Sequence, residues 1–266
     1  MNLKELSHQI QKKCSFLCVG LDTAIDKIPD FLKKEEDAVL QFNKKIIDAT
    51  HHHCVAYKIN TAFYEAGGSK GWDILKKTFD YIPNTIFKIA DAKRGDIGNT
   101  AKQYAKAFFQ WLGADAVTLS PYMGEDSIKP FLEYPGKWAI LLGLTSNPGS
   151  KDFQLLKIEN EYLFEKVIKI SSQWGTAENT MYVVGATKPE HLALIRKIIP
   201  EHFLLVPGVG EQGGDLEKVM SAGKNSHGGL LINISRGIIY AGSGADFAEK
   251  AGEKAQEYRI QMERFL

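Results

Sequence analysis

The feature that most constrains the fold is an eightfold alternation of short apolar runs with longer amphipathic segments. The runs are nearly continuous in apolar residues, which is typical of strands buried on both faces of a parallel sheet. We predict strands at Phe16–Asp22, Val55–Asn60, Thr85–Lys93, Ala116–Ser120, Trp138–Thr145, Met181–Ala186, Phe203–Pro207 and Gly229–Ser235. Helical periodicity predicts helices at Glu35–His51, Trp72–Tyr81, Thr100–Leu112, Glu161–Trp174, Pro189–Ile199, Asp215–Ala222 and Ala245–Phe265, with a shorter one near Ser127–Tyr134.

Eight strand–helix repeats within 266 residues favour an α/β fold, a TIM (β/α)8 barrel, with residues 1–266 forming a single domain. A doubly wound open sheet of parallel strands is the alternative architecture. Two predicted connections, Pro121–Lys137 and Ser146–Asn160, are long for a compact barrel. Because long loops in such folds tend to carry function, we expect both to lie near a functional site.

The net charge of +1, from 33 basic and 32 acidic residues, provides no general attraction for nucleic acid or a membrane surface. Met1–Lys13 is polar and lacks the apolar core of a secretory signal, and no apolar run approaches the roughly 18 residues of a membrane span. The three cysteines lack paired metal-ligand spacing and are odd in number. These features predict a cytoplasmic protein without a disulfide framework.

Ionisable residues stand at or near the ends of the first three predicted strands, namely Asp22, Lys58, and Asp91 with Lys93. The carboxyl ends of the strands carry the chemistry of TIM barrels. Side chains two residues apart on a strand share a face, so Asp91 and Lys93 should project together. A structural salt-bridge cluster is the alternative interpretation, but desolvation makes buried ion pairs poor stabilisers. The pattern therefore predicts a pocket of alternating charges.

The run D-A-K-R-G-D-I-G-N-T, from Asp91 to Thr100, resembles the D-x-K-x-x-D-I-x-x-T signature of orotidine 5′-phosphate decarboxylases. Further family-like motifs follow the expected order: F-L-C-V-G-L-D, V-A-Y-K-I-N, L-G-L-T-S-N-P-G, V-P-G-V-G-E-Q-G-G-D and N-I-S-R-G-I. The longer loops and S-P-Y-M-G-E-D-S resemble the larger bacterial and mycobacterial-type subgroup. The resemblance implies cofactor-free decarboxylation of orotidine 5′-phosphate to uridine 5′-phosphate, the final step of de novo pyrimidine biosynthesis.

The resemblance also implies roles for the charged residues. Lys93 would place its ammonium beside C6 of the pyrimidine as cation and proton donor, and Asp91 would lie against the substrate carboxylate. A fixed cation beside developing negative charge is a suitable electrostatic stabiliser and general acid. Lys58 would balance Asp91 and, with Asp22, contact the ribose hydroxyls.

The same resemblance implies a homodimer with shared sites. Asp96 and Thr100 would reach into the active site of the neighbouring subunit, Asp96 as part of the catalytic group. Ile97, in the same segment, matches an apolar pocket position. Sequence alone gives no independent indication of this interface.

A glycine-rich segment at Gly208–Gly213 formally contains G-x-G-x-x-G. It follows the seventh predicted strand, whereas a dinucleotide-binding fingerprint would follow the first strand. Barrel phosphate sites use the loops after strands 7 and 8, so this segment is better interpreted as a phosphate loop. Gln212 is the predicted phosphate donor from the loop, and Arg236 offers a planar fork suited to bidentate phosphate binding.

Two further residues complete the predicted nucleotide site. Ser146 matches the family serine that contacts the pyrimidine amide edge, where a hydroxyl can both donate and accept. A local turn hydrogen bond is the alternative role for this side chain. Val209 matches an apolar loop position near the base.

Two other functions remain open at this stage. A magnesium-dependent sugar-phosphate decarboxylase or aldolase of the same barrel suprafamily would share D-x-K-x-x-D, but it would carry an acidic residue where this chain has Lys58. A non-catalytic binder of phosphate ligands would not need the Asp91–Lys93 pair. We therefore expect an enzyme acting on a small nucleotide, with no metal and no cofactor.

Overall fold

Eight parallel strands close into a barrel in which each strand pairs with the next in sequence and the last pairs with the first. The computed structural model describes residues 1–186, 188–209 and 215–266. The barrel strands are β1 Leu17–Gly20, β2 Ala56–Asn60, β3 Phe87–Arg94, β4 Ala116–Leu119, β5 Trp138–Leu144, β6 Thr180–Val184, β7 Phe203–Pro207 and β8 Leu230–Ile234. The predicted TIM barrel is confirmed, and the open sheet is ruled out by the pairing of β1 with β8.

Helices surround the barrel. They are α1 Leu3–Lys13, α2 Ala38–Thr50, α3 Ala62–Glu65, α4 Gly68–Tyr81, α5 Gly98–Lys106, α6 Glu125–Leu132, α7 Ser150–Phe153, α8 Leu163–Ser171, α9 Pro189–Ile198, α10 Leu216–Gly223, α11 Arg236–Ile239 and α12 Phe247–Glu263. In the part of the chain that the structure describes, no helix has the length and apolar character needed to cross a membrane.

An aromatic layer fills the barrel near the amino-terminal ends of its strands. The ring of Trp138 meets those of Phe87 and Phe203 edge-on, at centroid distances of 6.1 and 6.4 Å. These three residues open β3, β5 and β7, so the layer follows the alternate-strand packing of TIM barrels. All three side chains are fully buried. This end of the barrel is therefore closed by packing.

The first helix, α1, was not anticipated, since Met1–Lys13 is mostly polar. It begins with a capping box, in which Asn2 accepts from the Glu5 amide and Glu5 accepts from the Asn2 amide. Its buried residues, Leu3, Leu6 and Ile10, follow a helical spacing too sparse to stand out in a polar segment. The indole of Trp138 donates to the Met1 carbonyl at 2.8 Å, which places this segment against the aromatic layer.

The two long predicted loops contain regular structure. Pro121–Lys137 holds a 3-10 turn, Pro121–Met123, followed by α6. Ser146–Asn160 holds α7 and the first strand of a hairpin formed by Lys157–Ile158 and Glu161–Tyr162. The predicted helix at Thr100–Leu112 begins two residues earlier, at Gly98, and its last turn, Ala107–Trp111, is a π-helix.

Candidate active site

A cavity of about 220 Å³ opens at the carboxyl ends of the strands, opposite the aromatic layer. Its lining comes from six of the strands and the residues that follow them: Asp22, Lys58, Asn60, Asp91, Lys93, Val183, Leu205, Pro207, Gly208, Val209, Asn233, Ile234, Ser235 and Arg236. A larger groove of about 580 Å³ lies between the loop after β1 and helices α3 and α4, but its lining is mainly apolar. The concentration of charge marks the smaller cavity as the candidate site.

Four side chains at the bottom of the cavity form an array of alternating charge. The Lys58 ammonium donates to Asp91 Oδ2 at 2.9 Å and to Asp22 Oδ1 at 3.3 Å. The Lys93 ammonium donates to Asp91 Oδ1 at 2.6 Å. Lys58 and Asp91 are only 5% and 8% exposed, whereas the Lys93 side chain is 49% exposed. Lys93 is thus the most exposed member of the array, followed by Asp22, whose side chain is 20% exposed.

The electrostatics of the array keep its buried members ionised. Burial by itself would raise the pKa of Asp91, but the Lys58 and Lys93 ammonium groups outweigh it and hold that pKa well below its usual range. Burial would likewise lower the pKa of Lys58, but the Asp91 and Asp22 carboxylates raise it above its ordinary value. A buried carboxylate and a buried ammonium therefore persist at neutral pH.

The strand that carries the central pair is irregular. Ala90 pairs with Val117 and Arg94 with Leu119, so β3 contains two more residues than β4 over this stretch. Lys93 has a φ of 47°, in the left-handed region. Asp91 and Lys93 line the same cavity, as predicted. The reason is the bulge in β3, because the backbone between them does not follow the alternation of a regular strand.

Thr118 fixes this bulge and was missed in the sequence. Its hydroxyl donates to Asp91 Oδ1 and accepts from the Lys93 amide, each at 2.9 Å, and the residue is fully buried. Asn233, on β8, was also missed; it lines the cavity, and its Oδ1 accepts from the Cys18 thiol at 3.7 Å. The available signal was a lone polar residue within each apolar strand, A-V-T-L and L-L-I-N-I.

The side of the cavity predicted to hold phosphate is built by the segments after β7 and β8. Val209 lines the cavity and is 4% exposed, and Arg236 lines it as the first residue of α11. Close approach of β1 to this segment requires glycine at Gly20, because a Cβ there would lie 2.7 Å from the Cβ of Ser235. Gln212 lies outside the described residues.

Ser146 lies beside a neighbouring cavity of about 180 Å³. It follows the end of β5 and packs on Gly185, where a Cβ would come within 2.8 Å of the Ser146 Cβ. Ser146 is therefore two residues beyond Leu144, the last residue of β5, and next to the residue that follows β6. The structure therefore does not bring Ser146 into the cavity that holds the charged array.

Asp96, Ile97 and Thr100 lie outside the lining of their own cavity. Asp96 Oδ1 accepts from the Ile97 amide at 2.8 Å, so the carboxylate caps the turn that leads into α5. The Ile97 side chain is 48% exposed, and Thr100 is exposed in the first turn of that helix. In the described part of the chain, none of the three lines the charged cavity.

Residues 15–251 match the sequence model of the orotidine 5′-phosphate decarboxylase / HUMPS family. This chain belongs to that family. The membership confirms the resemblance drawn from the ordered motifs, and with it the prediction of an enzyme.

The relatives of this decarboxylase-family chain cover it almost completely. Orotidine 5′-phosphate decarboxylase of Christiangramia forsetii is 60% identical over 98% of this chain and 97% of its own length. The enzyme of that name from Phocaeicola vulgatus is 58% identical over 100% of this chain and 99% of its own. A solved structure of Leishmania donovani OMP decarboxylase is 39% identical, covers 98% of this chain and 100% of its own, and superimposes with a TM-score of 0.83.

Proposed function

We propose that this chain, acting as one domain of residues 1–266, decarboxylates orotidine 5′-phosphate to uridine 5′-phosphate in cytoplasmic pyrimidine biosynthesis. The observation that carries the proposal is the placement of the Lys93 ammonium at the cavity, 2.6 Å from a buried Asp91 carboxylate that Lys58 also holds. The relatives named as this decarboxylase, at 60% and 58% identity over nearly the whole chain, support the substrate.

The charged array suits the chemistry of such a reaction. The bond between C6 of the pyrimidine and its carboxylate breaks, CO2 leaves, and the electron pair stays on C6. The Lys93 ammonium stabilises that developing charge and then donates its proton to C6, after which solvent reprotonates the lysine. Asp91 holds the ammonium in place and repels the substrate carboxylate more than the dispersed charge that follows. The buried Lys58 ammonium, which also donates to Asp91, keeps that carboxylate ionised.

The remainder of the cavity would bind the nucleotide. Arg236 and Gln212 are assigned to the phosphate, Val209 to the apolar side of the base, and Asp22 to the ribose hydroxyls. Ser146 is assigned to the pyrimidine amide edge, which requires the base to bridge towards the neighbouring cavity. Because phosphate binding is remote from C6, its binding energy can hold the base against the array.

The donor chemistry of the array disfavours a magnesium-dependent reaction. Both oxygens of Asp91 already accept from ammonium groups, and one also accepts from Thr118. Asp22 accepts from Lys58, which stands where a metal-dependent relative would carry an acidic residue. Magnesium prefers carboxylates free to neutralise its charge. We therefore expect full turnover in excess chelator.

The direct test is to follow the loss of ultraviolet absorbance of orotidine 5′-phosphate with purified protein and EDTA. Turnover without added cofactor is expected, and its absence in folded protein would refute the proposal. Lys93→Ala should abolish turnover while uridine 5′-phosphate still binds, as measured by calorimetry. Activity lost on chelation would instead favour the metal-dependent alternative.

We also infer a homodimer in which Asp96 and Thr100 serve the neighbouring subunit's site. The exposure of Ile97 and Thr100, and the position of Asp96 outside the lining of its own cavity, support this arrangement. The test mixes two inactive variants, Lys93→Ala and Asp96→Ala. If Asp96 acts across the interface, each mixed dimer contains one intact site and activity returns; if it acts within its own subunit, mixing restores nothing.

A further inference from the structure

Arg94, the residue after the proposed proton donor, makes a set of contacts that the chemistry above does not use. Its Nη1 donates to the Ala92 carbonyl at 2.9 Å, and its Nη2 forms an ion pair with Glu65 Oε1. The guanidinium carbon lies 5.4 Å from the ring centroids of both Tyr104 and Phe108. The side chain is 21% exposed, so this arrangement is largely shielded from water.

These contacts join three separate pieces of the site. Glu65 ends α3, the short helix that follows the strand carrying Lys58. Tyr104 lies on α5 and Phe108 on its π-helical last turn, and this helix follows the segment that contains Asp96. Arg94 therefore lies between the second strand, the bulged third strand and the helix beyond it.

The contact with Ala92 bears directly on the backbone of Lys93. The carbonyl of Ala92 and the amide of Lys93 belong to one peptide group. The Arg94 guanidinium donates to the oxygen of this peptide group. The N–H of the same peptide group, which is the Lys93 amide, donates to the Thr118 hydroxyl at 2.9 Å. On the far side, the Arg94 carbonyl accepts from the Ser120 amide at 2.8 Å. The Ala92–Lys93 and Arg94–Gly95 peptide groups are thus each hydrogen-bonded to the β4 segment, and the Arg94 side chain adds a second bond to the first of them.

Such restraint is needed because Lys93 has a φ of 47°. Left-handed backbone is unfavourable for a side chain with a Cβ and persists only where the surroundings enforce it. Arg94 Nε is itself buried without a hydrogen-bond partner among the described residues. A buried donor without a hydrogen-bond partner lowers the stability of the fold. A stabilising role alone therefore does not account for an arginine at this position.

We propose that Arg94 is a positioning residue, which pins the Ala92–Lys93 peptide group so that the Lys93 ammonium is held against Asp91 in the geometry that the reaction needs. Glu65 and the rings of Tyr104 and Phe108 hold Arg94 in turn. The kinetic part of this proposal rests on the proposed function. A misplaced ammonium should affect the chemical step more than nucleotide binding, because no phosphate or ribose contact is assigned to Arg94.

The test compares wild type with Arg94→Ala in steady-state turnover of orotidine 5′-phosphate. We expect kcat to fall about 10- to 100-fold while KM changes less than about threefold. Added guanidinium, with sodium chloride at equal ionic strength as the reference, should restore part of kcat by refilling the vacated position. Unchanged kcat, or a loss that guanidinium does not restore, would overturn the proposal.

Arg264→Ala is the matched control variant. Arg264 also pairs with a carboxylate, Glu217 at 3.2 Å, and stacks on a ring, Phe265 at 5.0 Å, but it lies on the surface after α12. The kcat of the Arg264→Ala variant should equal that of wild type. If Arg94→Ala does not fold, Glu65→Gln decides: a fall in kcat at constant KM supports the proposal, and wild-type kcat refutes it.

A readout independent of turnover separates this proposal from the proposed function. Hydrogen exchange of the Lys93 amide, followed by NMR, should be at least about tenfold faster in Arg94→Ala than in wild type, while the Val117 amide stays protected. Faster exchange in a protein that does not turn over the substrate would refute the reaction and keep the positioning role. Unchanged Lys93 exchange would refute the positioning role even if the wild type is active.

Discussion

The Thr118 hydroxyl is the smallest group on which the geometry of the charged array depends, and Thr118→Val removes it with little change in shape. Two hydrogen bonds of 2.9 Å are lost, one donated to Asp91 Oδ1 and one accepted from the Lys93 amide. The residue is fully buried, so water cannot replace either bond without a rearrangement. Valine fits a strand position and keeps the packing of β4.

The expected loss of stability follows from those two bonds. A hydrogen bond to a charged group contributes about 1.5 to 3 kcal/mol, and the neutral one about 1 kcal/mol. We therefore expect the free energy of unfolding to fall by about 3 kcal/mol, measured by urea denaturation at neutral pH. Asp91 keeps both of its lysine partners, so the fold itself should survive.

The effect on turnover tests the reasoning more sharply. Without Thr118 the left-handed backbone at Lys93 loses one of its restraints, and misplacement of a reacting group by about 1 Å can cost on the order of 100-fold. We expect kcat to fall at least about tenfold with a smaller change in KM. Thr50→Val is the control: this buried hydroxyl donates to the Ile46 carbonyl on α2 and lies 2.6 Å from the Tyr57 hydroxyl, and neither Thr50 nor Tyr57 lines the cavity, so stability should fall while kcat stays constant. Equal kcat in wild type and Thr118→Val would show that the hydroxyl does not hold the array.

Three further outcomes are expected. Arg236→Ala should raise KM about 30-fold and Gln212→Ala about tenfold, since each removes a proposed phosphate contact; unchanged steady-state KM in both would refute the phosphate assignment. Asp91→Asn should abolish turnover and lower the free energy of unfolding by about 3 kcal/mol, because Lys58 stays buried with one carboxylate fewer; urea denaturation checks this. Burial lowers the pKa of His202 to about 4, and the unfolded chain, with a histidine pKa of about 6.5, binds the proton more readily. Stability should therefore fall by about 2 kcal/mol as the pH drops from 6.5 to 4, and His202→Leu should show less of this fall in urea titrations at each pH.

The sequence by itself determined the order and type of the barrel elements. Near-continuous apolar runs are a local property, and a strand buried on both faces can only be covered by helices on one side and by other strands' side chains on the other. The same locality explains why Asp22, Lys58 and Asp91 could be placed at one end of the barrel: each predicted strand carries its charged residue at or near its carboxyl end. The helix at the start of the chain was the exception. Its three spaced apolar residues do not distinguish a helix in the sequence, and they form a buried face only where the helix packs against the barrel.

Only the tertiary structure decided how the charges meet. The bulge in β3, the left-handed backbone at Lys93 and the partnership of Thr118 depend on the register between two strands, which no local pattern encodes. In the sequence, Arg94 is one of several charged residues in the motif and nothing marks it as special. Its partners are Glu65, 29 residues before it, and the ring of Tyr104 on the helix that follows. Ser146 was assigned to the base by motif, and only the structure shows that it lines a cavity next to the one that holds the charged array. The order of the strands follows from patterns among residues that are neighbours in sequence. The geometry of the active-site lysine is set by contacts between segments that are distant in sequence.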